Sequence, residues 1–211
     1  MTTAFAITEA ITSLADVEAK FKLQLSCNED FFTEWLPPYP DLNNEQNVRL
    51  DLIQQRYLYH RKHGHVSEGV VNLIMMSPIL EMAGFCDPPF LIRSEASVKI
   101  EIEEQDKIYR GRIDILAVLE QFWVVLVESK QTNFSMSIAL PQALTYLVAA
   151  PHQGQPVFGL VSNGEHFMFL KVDLQRSEYG RSDDFSVYRR HNELWDVVSI
   201  LQRLGKTIQH P

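Results

Sequence analysis

The chain has 211 residues, of which 45% are hydrophobic and 22% are charged, and its formal net charge is −8. This length and composition predict one globular α/β domain of ordinary size. The acidic balance argues against a protein that coats nucleic acid by bulk electrostatic attraction. The longest purely apolar run, Phe122 to Val127, is far shorter than the roughly 20 residues of a membrane span, so no membrane partner is expected.

The cysteines and the first ten residues indicate the cellular compartment in which we expect the protein. Met1 to Ala10 contains no basic residue and no sustained apolar core, so we expect no signal peptide. Cys27 and Cys86 are isolated thiols without metal-ligand spacing. We expect both to be buried as small hydrophobic residues in a reducing environment, which predicts a cytoplasmic protein.

The first 65 residues are predicted to be mostly helical. Apolar residues recur every three to four positions between Ile7 and Leu25, which predicts a helix capped by Thr8 or Thr12. The pattern further predicts a helix start at 28–30, a rigid extended connector rich in proline over 36–41 and a helix over 45–63. Because isolated helices need a partner for their apolar faces, residues 1–65 are interpreted as a helical extension packed on a core formed by residues 66–211.

A basic, aromatic-interleaved segment runs from Arg56 to His65. One interpretation is that Arg56, Arg61 and Lys62 contact the phosphates of a nucleic acid, with the aromatic rings available for base stacking. The alternative is a helix whose apolar residues pack inward while its charged residues are solvated. The pattern by itself favours this second interpretation.

The next predicted helix opens at Ser67 and Glu68, with Ser67 as its N-cap. We expect Pro78 to kink or split this helix and Gly84 to end it. The helix dipole favours a carboxylate at Glu68, which is a purely structural explanation for this residue. Residues 95–103 then alternate charged and apolar side chains, as in a half-buried antiparallel strand.

Two apolar runs rich in β-branched residues carry ionisable groups where a buried strand should carry none. Asp114 lies in the first run, and Glu128 and Lys130 lie in the second. Because side chains alternate along a strand, Glu128 and Lys130 share a face about 7 Å apart, and a hairpin can bring Asp114 beside them. Two carboxylates and a lysine at a sheet edge suit a phosphodiesterase that uses a divalent metal ion. The alternative is that Glu128 and Lys130 form a structural ion pair.

The remaining pattern completes a mixed sheet flanked by helices. Residues 137–150 are predicted to be helical, with Gln142 and Tyr146 on one face and Pro141 tolerated in the first turn. Two strands over 158–161 and 167–172 are joined by an Asn-Gly turn, and an amphipathic helix over 192–204 follows. The prediction is an α/β fold with three central strands plus this second hairpin.

In this order and spacing, Asp114, Glu128-Ser129-Lys130 and Gln142-x-x-x-Tyr146 resemble the core of the PD-(D/E)XK nuclease superfamily. More narrowly, they are similar to the N-terminal nuclease domain of type I restriction enzyme R subunits and to RecB-type nucleases. The resemblance covers residues 67–173 and departs from the superfamily pattern in having Ile113, rather than proline, before the aspartate.

The resemblance implies a restriction-endonuclease-like fold and Mg²⁺-dependent hydrolysis of DNA phosphodiester bonds, with Mn²⁺ able to substitute. Asp114 and Glu128 would be metal ligands, and the backbone carbonyl of Ser129 would supply a further oxygen. In such nucleases an acid from the first core helix, here Glu68, often approaches the metal directly or through water.

The resemblance also assigns roles to three other residues. Lys130 would orient the attacking water and stabilise charge in the transition state, and Gln142 and Tyr146 would brace the site or touch the substrate. For Gln142 and Tyr146, a hydrogen bond that holds the helix against the sheet is the structural alternative. DNA is the expected partner, RNA is an alternative, and a homodimer or partner subunits are compatible with the pattern. The main alternative function is a catalytically silent module of this fold that binds nucleic acid or a protein.

Overall fold

The computed structural model describes residues 3–6, 11–93, 97–102, 107–112, 115–118, 122–126, 136–149 and 154–209. The helices are α1 (Leu14–Phe21), α2 (Asn44–Lys62), α3 (Glu68–Val71), α4 (Ser77–Met82), α5 (Met136–Ala149) and α6 (Leu194–Gln209), and a π-helical turn (Asn72–Met76) joins α3 to α4. The strands are β1 (Thr3–Ala6), β2 (Gln24–Leu25), β3 (Ile92–Arg93), β4 (Ser97–Ile102), β5 (Lys107–Arg112), β6 (Ile115–Val118), β7 (Phe122–Leu126), β8 (Val157–Ser162), β9 (His166–Asp173), β10 (Glu178–Arg181) and β11 (Phe185–Ser186).

The larger of two sheets is mixed, which confirms the predicted α/β sheet flanked by helices. Its strand order is β2-β10-β9-β8-β7-β6-β3, and β11 also pairs with β9. Strand β7 is antiparallel to β6 and parallel to β8, and β8, β9 and β10 form an antiparallel meander. A parallel pair needs a long crossover connection, and α5 lies in the connection between β7 and β8. A second sheet has the order β1-β5-β4.

Two hydrophobic clusters lie on opposite faces of β8 and β9. Phe158 and Leu160 of β8 pack into the first cluster, together with residues of α2, α3, α4 and α6. Val157 and Val161 of the same strand pack into the second cluster, together with residues of α1 and α5. Both faces of this sheet are therefore apolar and covered by helices, which explains why β8 is a continuous apolar run rather than an alternating one.

The first helix is shorter than predicted. Its cap is Ser13 rather than Thr12, and Thr8 lies outside the described residues. The Ser13 hydroxyl accepts a hydrogen bond from the Asp16 amide at 3.2 Å, and the Asp16 carboxylate accepts one from the Ser13 amide at 3.0 Å. This capping box satisfies two amides at the helix start. The predicted last turn is replaced by β2, which pairs with β10.

The predicted helix start at 28–30 is wrong. Asn28 instead forms a turn in which its side-chain oxygen accepts a hydrogen bond from the Asp30 amide at 3.0 Å. Such side-chain-to-backbone bonds compete with helix formation. The turn directs Phe31 and Phe32 into the first cluster. The predicted extended connector over 36–41 is only partly correct, because residues 36–38 form bends and residues 39–41 have no regular secondary structure.

The long second helix and the split third helix are confirmed. Helix α2 begins after an Asn43 capping box, and α3 and α4 are separated by the π-helical turn directly before Pro78. Gly84 has a φ of +88° and follows the end of α4, as predicted for a terminating glycine. Ser67 precedes α3 in an extended conformation, but its side chain makes no capping hydrogen bond.

Two smaller predictions are wrong. Cys27 and Cys86 are exposed, because both lie in irregular or turn segments rather than in a strand or buried helix face. Helix α5 begins at Met136, so Pro141 falls in the second turn instead of the first. The Thr145 hydroxyl donates to the Pro141 carbonyl oxygen at 2.8 Å within this helix.

The division of the chain at residue 65 stays a prediction. Within the described ranges, no helix combines the length and the apolar character that crossing a membrane requires.

Candidate functional site

Several strands begin or end together at one edge of the large sheet. The last residue of β7, Leu126, pairs with the last residue of β8, Ser162. The first residue of β6, Ile115, pairs with Val125. We call this boundary the β7/β8 edge. The predicted residues Asp114, Glu128, Ser129 and Lys130 lie outside the described residues. In sequence, Asp114 directly precedes β6, and Val127 separates Glu128-Ser129-Lys130 from the end of β7.

The turn from β8 to β9 lies at this edge and is held by its own polar atoms. The Asn163 side-chain oxygen accepts hydrogen bonds from the amides of Glu165 and His166, at 3.0 and 2.9 Å. The Ser162 hydroxyl accepts one from the Gly164 amide at 3.0 Å. These hydrogen bonds show that Asn163 stabilises the turn. They also hold the backbone of the turn in a fixed conformation at the β7/β8 edge.

Gly164 joins this turn to α2 and α3. Its φ is +85°, and a Cβ atom there would lie 2.9 Å from Val71 Cγ2 and 3.1 Å from the Tyr57 hydroxyl. Tyr57 belongs to α2 and Val71 to α3, and both are almost fully buried. The missing side chain at Gly164 therefore lets both helices pack directly on the β7/β8 edge.

We expect Gly164→Ala to lower the free energy of unfolding by about 2–4 kcal/mol, because a left-handed backbone and a crowded Cβ each oppose alanine. Chemical denaturation measures this change. Gly69→Ala is the matched control, since a Cβ at Gly69 meets no atom within 4 Å and its backbone is helical. Equal stability of the two variants would contradict the close packing of the turn.

Arg61 points toward this turn rather than toward solvent. Its guanidinium forms an ion pair with Glu165, and the hydrogen bond and charge of that carboxylate raise the pKa of Arg61. Arg56 and Lys62, the other two basic residues predicted to contact nucleic acid, are exposed. Among these three residues, the structure thus joins Arg61 to the edge and leaves the other two at the surface of α2.

A second aromatic and basic segment, which the sequence analysis did not single out, lies beside Arg61. Tyr188 is followed by Arg189 and Arg190, and all three are exposed. The Tyr188 side chain lies near Glu165 and Arg61, and partial burial together with the Glu165 charge raises its pKa. A tyrosine followed by two arginines is a visible sequence signal, but only the fold reveals its proximity to the edge.

Glu68 is the first residue of α3 and is partly exposed. It lies about one helical turn before Val71, whose contact with Gly164 brings the other end of this four-residue helix to the β7/β8 edge. The Asn72 side-chain oxygen is buried and has no hydrogen-bond partner among the described residues. A π-helical turn begins at Asn72, and such turns frequently occur at functional sites.

Gln142 and Tyr146 lie on α5, which packs on the opposite sheet face from α2 and α3. Tyr146 is 4% exposed and belongs to the second hydrophobic cluster, whereas Gln142 is only partly buried. The burial of Tyr146 shows that this side chain contributes to packing between α5 and the sheet.

The described part of the chain contains no group of three histidine, cysteine, aspartate or glutamate side chains that could hold a metal ion. Two of the predicted carboxylate ligands, Asp114 and Glu128, lie outside this described part. Comparison with protein-family models and with curated proteins gives no match for this chain.

Proposed function

We propose that this protein is a metal-dependent nuclease that hydrolyses DNA phosphodiester bonds, with a PD-(D/E)XK type of site at the β7/β8 edge. The observation that carries the proposal is that β6 begins where β7 and β8 end. The three charged residues of the sequence motif adjoin these strand ends in the chain. The mixed sheet and the crossover helix α5 support the finer assignment to a restriction-endonuclease-like fold.

Chain connectivity limits how far the motif residues can be from this edge. Consecutive Cα atoms are about 3.8 Å apart, so Glu128 lies within about 7.6 Å of the Leu126 Cα atom, and Asp114 adjoins Ile115. If the register of β6 and β7 continues by one pair, Asp114 is opposite Leu126 and diagonal to Glu128. Diagonal neighbours are about 7–8 Å apart, which allows two carboxylates to bind one ion between them.

The register also supports a shared face with Glu68. Leu126 pairs with Ser162, and even-numbered residues of β8 such as Phe158 face the cluster that contains α2 and α3. Because side chains alternate along a strand, we expect Glu128 and Lys130 on this same face. Helix α3, which carries Glu68, packs on this side of the sheet, so the proposal includes a carboxylate from a third element.

The donor set fits Mg²⁺ chemically. Carboxylates and a backbone carbonyl are hard oxygen ligands, and in this proposal Asp114, Glu128 and the Ser129 carbonyl hold the ion, with Glu68 nearby. The bound ion would neutralise charge on the scissile phosphate. Lys130 orients the attacking water and donates hydrogen bonds to the phosphate oxygens as their negative charge increases. Gln142 lies on α5, on the other face of the sheet, so in this proposal it braces the strand ends rather than contacting the ion.

A cleavage assay tests the proposed function. The purified chain is incubated with single-stranded DNA, duplex DNA and RNA, each with Mg²⁺, with Mn²⁺ and with EDTA. We expect DNA cleavage with either metal ion and none with EDTA. Cleavage that persists in EDTA would contradict a metal-dependent mechanism, and binding without cleavage under every condition would favour a silent nucleic-acid-binding module.

Divalent metal should also stabilise the folded protein. Asp114 and Glu128 repel one another without a cation, and a ligand that binds only the native state adds stability. At a free metal concentration about 100 times Kd, this gain is about 2.7 kcal/mol and raises the melting temperature. Asp114→Asn should be neutral or stabilising without metal, and it should lose most of the metal-dependent shift. If the melting temperature does not change on addition of Mg²⁺ or Mn²⁺, the proposed metal site is wrong, whether or not the protein cleaves DNA.

A further inference from the structure

The surface beside the β7/β8 edge carries an exposed aromatic and basic loop that the proposed chemistry does not use. We call Tyr188, Arg189 and Arg190 the 188–190 loop. Tyr188 is 55% exposed. The Arg189 side chain is 63% exposed, and the Arg190 residue is exposed too. A large exposed ring next to two exposed arginines gives this chain, whose net charge is −8, a local surface that is both aromatic and basic.

The 188–190 loop is anchored at its start, not loosely attached. The amide of Val187 donates to the Glu165 carbonyl at 3.0 Å, and the Gln54 side chain donates to the Val187 carbonyl at 2.7 Å. The Tyr188 amide also donates to the Ser186 hydroxyl at 3.3 Å. The loop is thus held between α2 and the turn that follows β8, directly beside the proposed catalytic edge.

The neighbouring acidic groups are already engaged. Glu165 pairs with Arg61, and the Glu193 carboxylate accepts a hydrogen bond from the Ser186 amide at 2.6 Å. Glu193 lies 3.8 Å from the Arg189 guanidinium, which is a loose contact at the surface. Because the nearby carboxylates have other partners, Arg189 and Arg190 remain available to bind an external anion.

We propose that the 188–190 loop, together with the exposed Lys62 of α2, binds the strand that the enzyme cleaves, with arginine contacts to phosphates and an unpaired base stacked on Tyr188. This inference rests on the proposed nuclease function and adds the substrate class, a nucleic acid with unpaired bases. Arginine binds phosphate through several N–H donors, and an exposed aromatic ring stacks on any base without sequence preference. Because these basic residues are grouped at one place on the surface, they can bind phosphates even though the net charge of the protein is negative.

Binding of a fluorescein-labelled oligothymidylate, measured by anisotropy in EDTA across several salt concentrations, tests this surface without requiring catalysis. Each phosphate contact contributes about −0.7 to the slope of log affinity against log salt for single strands. The double variant Arg189→Ala/Arg190→Ala should therefore make the slope shallower by about 1.4. The control is Arg176→Ala: its side chain is 64% exposed and lies 3.5 Å from Asp173. Arg176 follows the opposite end of β9, so this variant should leave the slope unchanged.

Substitutions of Tyr188 separate stacking from charge. Tyr188→Ala should weaken oligothymidylate binding between about fivefold and a hundredfold, whereas Tyr188→Phe should stay close to the parent because it keeps the ring. A duplex should bind more weakly than the single strand and should respond less to Tyr188→Ala. The proposed surface is wrong if Arg176→Ala changes the salt slope as much as the double arginine variant does. It is also wrong if Tyr188→Ala leaves the affinity for oligothymidylate unchanged.

Failure of this inference is distinguishable from failure of the proposed function. If the surface is wrong but the nuclease assignment is right, Mg²⁺-dependent cleavage persists with unchanged oligothymidylate affinity in the loop variants. If the nuclease assignment is wrong but the surface is right, the loop variants lose affinity in EDTA while no cleavage occurs with Mg²⁺ or Mn²⁺.

Discussion

Replacing Asp114 or Lys130 with alanine should lower the rate of metal-dependent DNA cleavage by at least about a hundredfold, the effect of removing one group that stabilises transition-state charge. Asp114→Ala removes a proposed metal ligand. Lys130→Ala removes a cation that would otherwise contact the phosphate oxygens. Initial rates with saturating Mg²⁺ measure the loss of cleavage activity. The ratio of the turnover numbers of variant and parent separates slower chemistry from weaker substrate binding.

The matched controls are Asp87→Ala and Lys206→Ala, which remove an exposed carboxylate and an exposed lysine away from the motif. Both controls should cleave at the parent rate. Circular dichroism and melting temperature establish that each variant is folded. If a folded Lys130→Ala protein cleaves DNA at the parent rate, the role assigned to Lys130 is wrong, and if Asp114→Ala does so, the metal-ligand assignment fails.

The second large effect concerns helix α5, where we expect Leu144→Ala to lower the free energy of unfolding by about 2–5 kcal/mol. Leu144 is fully buried in the second hydrophobic cluster, so truncation leaves a cavity between α5 and the sheet. Gln142→Ala lies on the same helix at a partly exposed position and should change stability by less than about 1 kcal/mol while reducing cleavage. Urea denaturation and cleavage rates of the same samples provide both values.

Tyr146 requires a different pair of variants, because it lies in the buried cluster with Leu144. Tyr146→Ala should destabilise the protein, and any loss of activity would then be ambiguous. Tyr146→Phe keeps the ring, so a loss of cleavage at unchanged stability would identify a catalytic or bracing role for the hydroxyl. If Gln142→Ala unfolds the protein, the hydrogen bond that holds α5 against the sheet is the correct interpretation of that residue.

The structure also changes how the basic part of α2 should be tested. Arg61 pairs with Glu165 across 104 positions of the chain, so its removal disturbs the turn beside the proposed site as well as the local charge. A change in nucleic-acid affinity on replacing Arg61 therefore has two explanations. Lys62 and Arg56 are exposed, and their replacement tests charge alone.

Local signals in the sequence were sufficient for much of the secondary structure. The helix over 45–63, the split before Pro78 and the Asn163-Gly164 hairpin were predicted because each depends on residues close together in the chain. The end of helix α4 at Gly84 was also predicted from residues close together in the chain. Proline breaks and tight turns are decided by backbone geometry within a few residues, which is why a single sequence reveals them.

Tertiary structure decided what depends on distant partners. Strand β2 replaced a predicted helical turn because β10 pairs with it, and Tyr146 became a packing residue because α5 covers a sheet face. The motif of Asp114, Glu128 and Lys130 was visible in the sequence alone, as residue types and spacing. The meeting of three strand ends at one edge, and of Arg61 and Tyr188 at Glu165, results from contacts between distant segments, which no local propensity encodes.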